Sequence, residues 1–136
     1  MRVLLDTNVL LDVLLAREPW LAEAAAVWRA SDDRRIVGYL TASTITDIFY
    51  IARRLAGLEV AQDSVRVCLE AFEVCAVDRQ ALEQAAALPG SDFEDNLQIA
   101  CAVIAGLDAI VTRDRDGFQS AAIQVLAPSE LLAKIG

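Results

Sequence analysis

The sequence predicts an α/β fold in which helices cover both faces of a parallel sheet. Three observations carry that expectation. Short apolar runs alternate with stretches of helical periodicity, and no two neighbouring runs are joined by a hairpin signal. The first run, Val3-Leu4-Leu5, is continuously apolar, as a strand buried on both faces requires. Sheets of this kind hold ligands beyond the carboxyl ends of their strands. The residues that follow each strand are therefore where chemistry is expected.

Taken in order, Arg2–Leu5 is the first strand and runs into Asp6-Thr7-Asn8. Val9, Leu10, Val13 and Leu14 then recur at helical spacing, and a second helix follows Pro19 with Trp20, Leu21, Ala24, Val27 and Trp28. Residues 36–40 form a strand. Thr41-Ala-Ser-Thr44 offers N-caps to a third helix, whose inner side carries Ile45, Ile48, Phe49, Ile51, Ala52 and Leu55 and which Gly57 stops. Residues 60–71 are an amphipathic helix and 72–77 a strand. Asp78 caps a helix that ends at Leu88-Pro-Gly90, and Ser91 caps the next, 92–107, which is apolar on nearly all sides and hence central. Residues 109–112 and Gln124–Leu126 are strands, and Pro128–Ile135 is a closing helix. No repeat, linker or low-complexity tract interrupts the 136 residues, so one domain over 1–136 is expected.

Composition removes whole classes of mechanism. Histidine is absent, which excludes Ser-His-Asp, Cys-His and imidazole acid–base chemistry. Cys68, Cys75 and Cys101 are odd in number and lack CxxC spacing, so neither a disulfide framework nor the usual zinc sites fit. With no secretory signal evident and no apolar run near the ~18 residues of a spanning helix, a reducing, cytoplasmic setting without membrane attachment is expected. The net charge is −8 and the pI about 4.4. Bulk electrostatics thus oppose a polyanion, and a nucleic acid would need local arginines or bound cations.

The carboxylates gather where the sheet rule directs attention. Asp6 follows the first strand, Asp114 and Asp116 follow the fourth, and Asp47 lies near the start of the third helix. Asp92, Glu94 and Asp95 open the long apolar helix. Singly, each has a bland explanation: Thr44-x-x-Asp47 and Ser91-x-x-Glu94 both fit a capping box, and Asp114 and Asp116 suit a turn. Jointly they do not. Two carboxylates ~5 Å apart repel by about 3 kcal/mol at an effective dielectric near 20, so converging acids must retain protons or share a cation. An all-oxygen donor set suits Mg2+ or Mn2+, whose chemistry includes phosphodiester hydrolysis.

These residues resemble a known family. Leu-Leu-Asp6-Thr-Asn8-Val-Leu-Leu-Asp12, Asp47, Asp92-Phe-Glu-Asp95-Asn-Leu-Gln-Ile-Ala100 and Val-Thr112-Arg-Asp114-Arg-Asp-Gly-Phe118 together are similar to the PIN-domain family, which includes VapC-type toxin ribonucleases. The resemblance spans essentially the whole chain. It implies an α/β/α sandwich on a parallel sheet of four to five strands, Mg2+- or Mn2+-dependent endoribonuclease activity, an RNA substrate, a cognate antitoxin and a homodimer. Carried over, Asp6, Asp47, Asp95 and Asp114 are the catalytic acids, with Asp6, Asp95, Asp114 and Asp116 as metal ligands. Asn8, Thr112 and Asp92 support them, and Asp92 or Glu94 joins or replaces Asp95 if the register shifts. Arg54, Arg113 and Arg115 are candidates to bind RNA phosphates, or alternatively to pair with nearby acids.

Two other readings compete. One is a PIN-fold module that binds a partner without catalysis. The other is a Mg-dependent phosphatase of haloacid-dehalogenase type, which wants a second Asp where this chain has Asn8 and a Lys where the only one is Lys134. A Toprim-like pattern at Asp114-x-Asp116 lacks the early Glu it requires.

Overall fold

A computed structural model describes residues 1–136 as a five-stranded sheet with helices on both sides. The strands are β1 (Arg2–Leu5), β2 (Val37–Thr41), β3 (Glu73–Cys75), β4 (Ala109–Val111) and β5 (Gln124–Leu126). Their spatial order is β3-β2-β1-β4-β5, and every pairing is parallel. β1 is therefore central, flanked by β2 and β4, with Leu5 opposite Val111 in the register. The chain leaves β1 at the point where the order reverses, the place at which an open parallel sheet forms its crevice.

The alternation of side chains along the strands divides the core in two. Val3 and Leu5 of β1 and Ala109 and Val111 of β4 point to one face, where they meet α1 (Thr7–Leu14), α2 (Leu21–Asp32), α3 (Ala42–Ala56), α4 (Leu58–Ala71) and α7 (Pro128–Ile135). Leu10, Val27, Ile48, Cys68 and Leu131 are the contributions of those five helices. Leu4 and Ile110 point the other way, onto α5 (Arg79–Ala87) and α6 (Phe93–Ile104) through Ala81, Ala85, Ile99 and Ala102. A short 3-10 helix, Arg115–Phe118, follows β4 and inserts Phe118 into this second layer. No helix is long and apolar enough to cross a membrane.

The elements lie where periodicity puts them, with two corrections at caps. Thr41 caps α3 by accepting from the Thr44 backbone N–H at 3.1 Å, so the Thr44–Asp47 capping box does not form and Asp47 sits in the second turn. Asp92 caps α6, accepting from the Asp95 N–H at 3.1 Å, in place of Ser91; the Ser91–Glu94 box is likewise absent. The expectation that α6 is apolar on nearly all sides and central holds only for its middle, Asn96–Ala102; Phe93 at its start is exposed. Val103 and Ile104 at its end are exposed.

Gly38 shows how tightly the first layer closes. A Cβ there would lie 2.7 Å from Phe72 Cδ1 and 2.9 Å from Ser31 Oγ. Gly38→Ala is expected to lower stability by about 1–3 kcal/mol through overpacking, measured by urea unfolding; an unchanged midpoint would contradict this packing.

Candidate active site at the carboxyl edge of the sheet

Asp6 caps the end of the central strand and is only 4% exposed. Its backbone N–H still belongs to the sheet, donating to Val111 O at 3.0 Å, so the carboxylate is held on rigid structure. Thr112 donates its hydroxyl to Asp6 Oδ2 at 2.8 Å, and Gln98 donates Nε2 to Oδ1 at 3.1 Å. Burial raises the Asp6 pKa, and these two hydrogen bonds oppose the rise. Thr112 Oγ also accepts from the Asp114 N–H at 3.0 Å, which ties the loop carrying Asp114 to the same point.

α6 brings the remaining charge. Asp95, in its first turn, has its carboxyl pushed up to about 7, first by burial and then by the negative charges of Asp92, Asp6 and Asp114. The 3-10 turn closes over it: a Cβ on Gly117 would lie 2.1 Å from Asp95 Oδ2. Any larger residue there would displace the Asp95 carboxyl. Asp6, Asp95 and Asp114 thus form one group.

Glu94 and Asp47 form a second group next to it. Glu94 is pushed up to about 7, by burial and then by the charge of Asp47. The Asp47 carboxyl is also raised by burial, a shift that its hydrogen bond with Glu94 opposes. A hydrogen bond between two carboxyl groups requires a proton on one of them. Ser43 donates to Glu94 Oε1 at 3.1 Å and bonds Thr41 Oγ at 2.8 Å, which continues to Thr44 at 3.0 Å and on to Thr7 at 2.9 Å. This hydroxyl chain fixes the start of α3 to the start of α1. The charge of Asp92 raises Asp47, Glu94 and Asp95 alike, so it lies between the two groups.

Other sequence candidates fall elsewhere. Asp116 is exposed on the 3-10 helix and is not among the charges that raise Asp6 or Asp95. Asn8 turns its carbonyl oxygen to Arg17, whose Nη2 is 3.2 Å away, and does not orient a site carboxylate. Arg113 does not point at the acids: its Nε donates to buried Asp12 at 2.8 Å while its guanidinium stacks on Trp20 at 3.7 Å. Asp12 receives Arg17 as well, at 2.9 Å. Arg115 pairs with Glu130. Of the three arginines only Arg54, exposed in the last turn of α3, lacks an ion pair. Sequence reasoning missed Gln98, Ser43 and Gly117. Gln98 sits three residues after Asp95 on the same helix face, a spacing that was readable. Nothing in the local pattern marked the other two.

The donor set is entirely oxygen, which suits Mg2+ or Mn2+, and burial, then the neighbouring acids, push two carboxyls up to about 7. As placed, no three acidic side chains share one ligating point. Asp6 is pinned by two donors and Asp95 is walled by Gly117, so exposed Asp114 is the side chain free to swing in.

The family model for the PIN domain matches residues 2–116. Comparison with curated protein sequences gives no match. Among solved structures, the DNA-bound VapBC of Salmonella typhimurium superposes with a TM-score of 0.73 at 17% identity, over 94% of this chain and 98% of that one. VapC20 of Mycobacterium tuberculosis, a sarcin-ricin loop cleaving toxin, gives a TM-score of 0.71 at 16% identity, over 85% and 92%. PAE2754 of Pyrobaculum aerophilum gives 0.64 at 18%, over 99% and 89%. At these identities the likeness is one of fold.

The raised carboxyls generate a pH prediction. Folded Asp95 and Glu94 hold protons to about 7, against about 4 in the unfolded chain. The stability they contribute is thus complete below about pH 4 and is lost as pH rises through about 7. Without divalent cations, the thermal midpoint should fall between about pH 5 and pH 8, and Asp95→Asn should flatten that fall. A wild-type profile with no such descent would contradict the crowding.

Proposed function

Since the chain belongs to the PIN-domain family, we propose that it is a Mg2+- or Mn2+-dependent endoribonuclease, the toxin of a toxin–antitoxin pair. The observation that carries the reading is Asp6, a buried carboxylate at the end of the central strand, whose carboxyl is raised further by the charge of Asp114 and which together with Asp114 raises Asp95. A structural acid would be expected to meet a basic partner there, as Asp12 does. Asp6 instead meets neutral donors and more acids.

Asp6, Asp95 and Asp114 would hold the ion, with Asp47 and Glu94 beside them. When bound, such an ion supplies Lewis acidity toward a phosphate and a nucleophile from water at neutral pH. The chain's own residues do the rest. Thr112 and Gln98 orient Asp6, and Asp92 caps α6 so that Asp95 faces the strand ends. Glu94, pushed up to about 7 by burial and by the charge of Asp47, lies at the rim, where a group with pKa near neutrality suits proton transfer to a leaving oxygen. Arg54 stands about two turns along α3 from Asp47, or ~10 Å, and is free to meet a backbone phosphate. Arg113 serves instead to anchor the Asp114 loop on Asp12. The exposed apolar side chains Tyr50, Leu55 and Leu58 offer surface for self-association or an antitoxin-like partner.

Mn2+ or Mg2+ should stabilise the wild type, by about 2.7 kcal/mol at a hundredfold excess over Kd, and so raise its thermal midpoint. Cleavage of a structured RNA should vanish with EDTA and in both Asp6→Asn and Asp95→Asn, while a small phosphomonoester stays intact throughout. Full metal-dependent cleavage by both variants would refute the assignment, and absence of any cation response in the wild type would favour a partner-binding module.

A further inference from the structure

Gln98 is 1% exposed, and its side chain is bonded at one end only. Nε2 donates to Asp6 Oδ1 at 3.1 Å, while Oε1 is buried with no partner. A buried amide oxygen without a donor costs about 1–3 kcal/mol, and an apolar side chain of the same shape would avoid that cost. Packing alone therefore gives no reason for glutamine at this position; Leu97, Ile99 and Ala100 on either side fill the same layer with hydrocarbon.

What the amide does is act on Asp6. Thr112, directly after β4, holds Oδ2 and is, beside the Thr7 backbone, the only donor to this carboxylate not supplied by α6. A second donor on the other oxygen, delivered from α6, fixes the carboxylate plane while leaving lone pairs on each oxygen for a ligand. The same helix carries Asp95 one turn earlier, so Gln98 also sets the separation between α6 and the end of β1. Its orientation is not interchangeable: only the NH2 end can bond an ionised carboxylate, which leaves the carbonyl end unpaired.

We propose that Gln98 is a positioning residue for the cation site, retained at a cost in stability to lock the Asp6 carboxylate between α6 and β4. The inference rests on the nuclease reading and deepens it, assigning to a buried neutral side chain the control of cation affinity and turnover. Organisation of donors around a ligating group acts on affinity as strongly as ~10- to 100-fold.

Gln98→Met keeps length and volume and removes the donor; Gln98→Leu is a second apolar variant should the first pack poorly. Without divalent cations, either should unfold at the wild-type midpoint or above it. Calorimetric titration with MnCl2 should show Kd weakened about 10- to 100-fold, and RNA cleavage at saturating Mn2+ should show a lower kcat with KM for RNA little changed. A merely structural glutamine would lower the cation-free midpoint and leave Mn2+ affinity alone, and that result overturns the proposal. Wild type and Asp6→Asn measured alongside separate the two levels of failure. If wild type binds Mn2+ and cleaves, Asp6→Asn does neither and Gln98→Met matches wild type, the positioning role falls and the nuclease reading stands. If wild type neither binds Mn2+ nor cleaves, both fall together.

Discussion

The structure is organised by the desolvation of one negative charge. Asp6 sits at the end of a strand with neighbours on both sides and helices above and below, as far from water as an edge of this sheet allows. A carboxylate there is tolerated only with donors or a counter-ion. The chain supplies two neutral donors and no cationic side chain. It then adds Asp95 and Asp114 to the same edge, which increases the electrostatic cost. Such an arrangement is a strained resting state, relieved by protons or by an ion, and local rules broken together at one place are the mark of a functional site.

The positive side chains show the complementary economy. Arg113 and Arg115, for which pairing with nearby acids is the alternative to phosphate binding, are both paired, Arg113 together with Arg17 on buried Asp12 and Arg115 with Glu130 at the surface. Asp12 is 1% exposed while its two partners are about a quarter exposed, so the pair of guanidiniums lids a buried acid. Trp20 covers the other side of Arg113. The loop bearing Asp114 is thereby fixed from both sides, by Thr112 beneath and by Arg113 against α1.

Much of this was legible beforehand, for physical reasons. β1 and β4 read as buried strands because continuous apolar runs have no other stable use in so short a segment, and the acids following them then had to meet at one edge. The helix starts were less legible, since Thr41, Thr44, Ser91 and Asp92 are all competent caps and tertiary packing chose among them. Gln98 escaped notice because an apolar helix invites every position to be read as core, although its spacing from Asp95 was there to be read. The Asp12–Arg113 pairing spans 101 residues, beyond the reach of local pattern. The absent Cβ of Gly117 is the room that Asp95 occupies, a contact between distant segments that local pattern does not mark.

The hydrogen bonds that hold Asp6 join residues 92 and 106 positions apart, so segments distant along the chain meet at its carboxylate. During translation, Asp6 and Asp47 leave the ribosome long before α6, and α6 before β4. At ~5–20 residues per second, a nascent chain spends seconds with its first acids exposed to water and unassembled. Synthesis itself thus acts as a timer: the carboxyl edge closes only once the last third of the polypeptide is available to pair with the first.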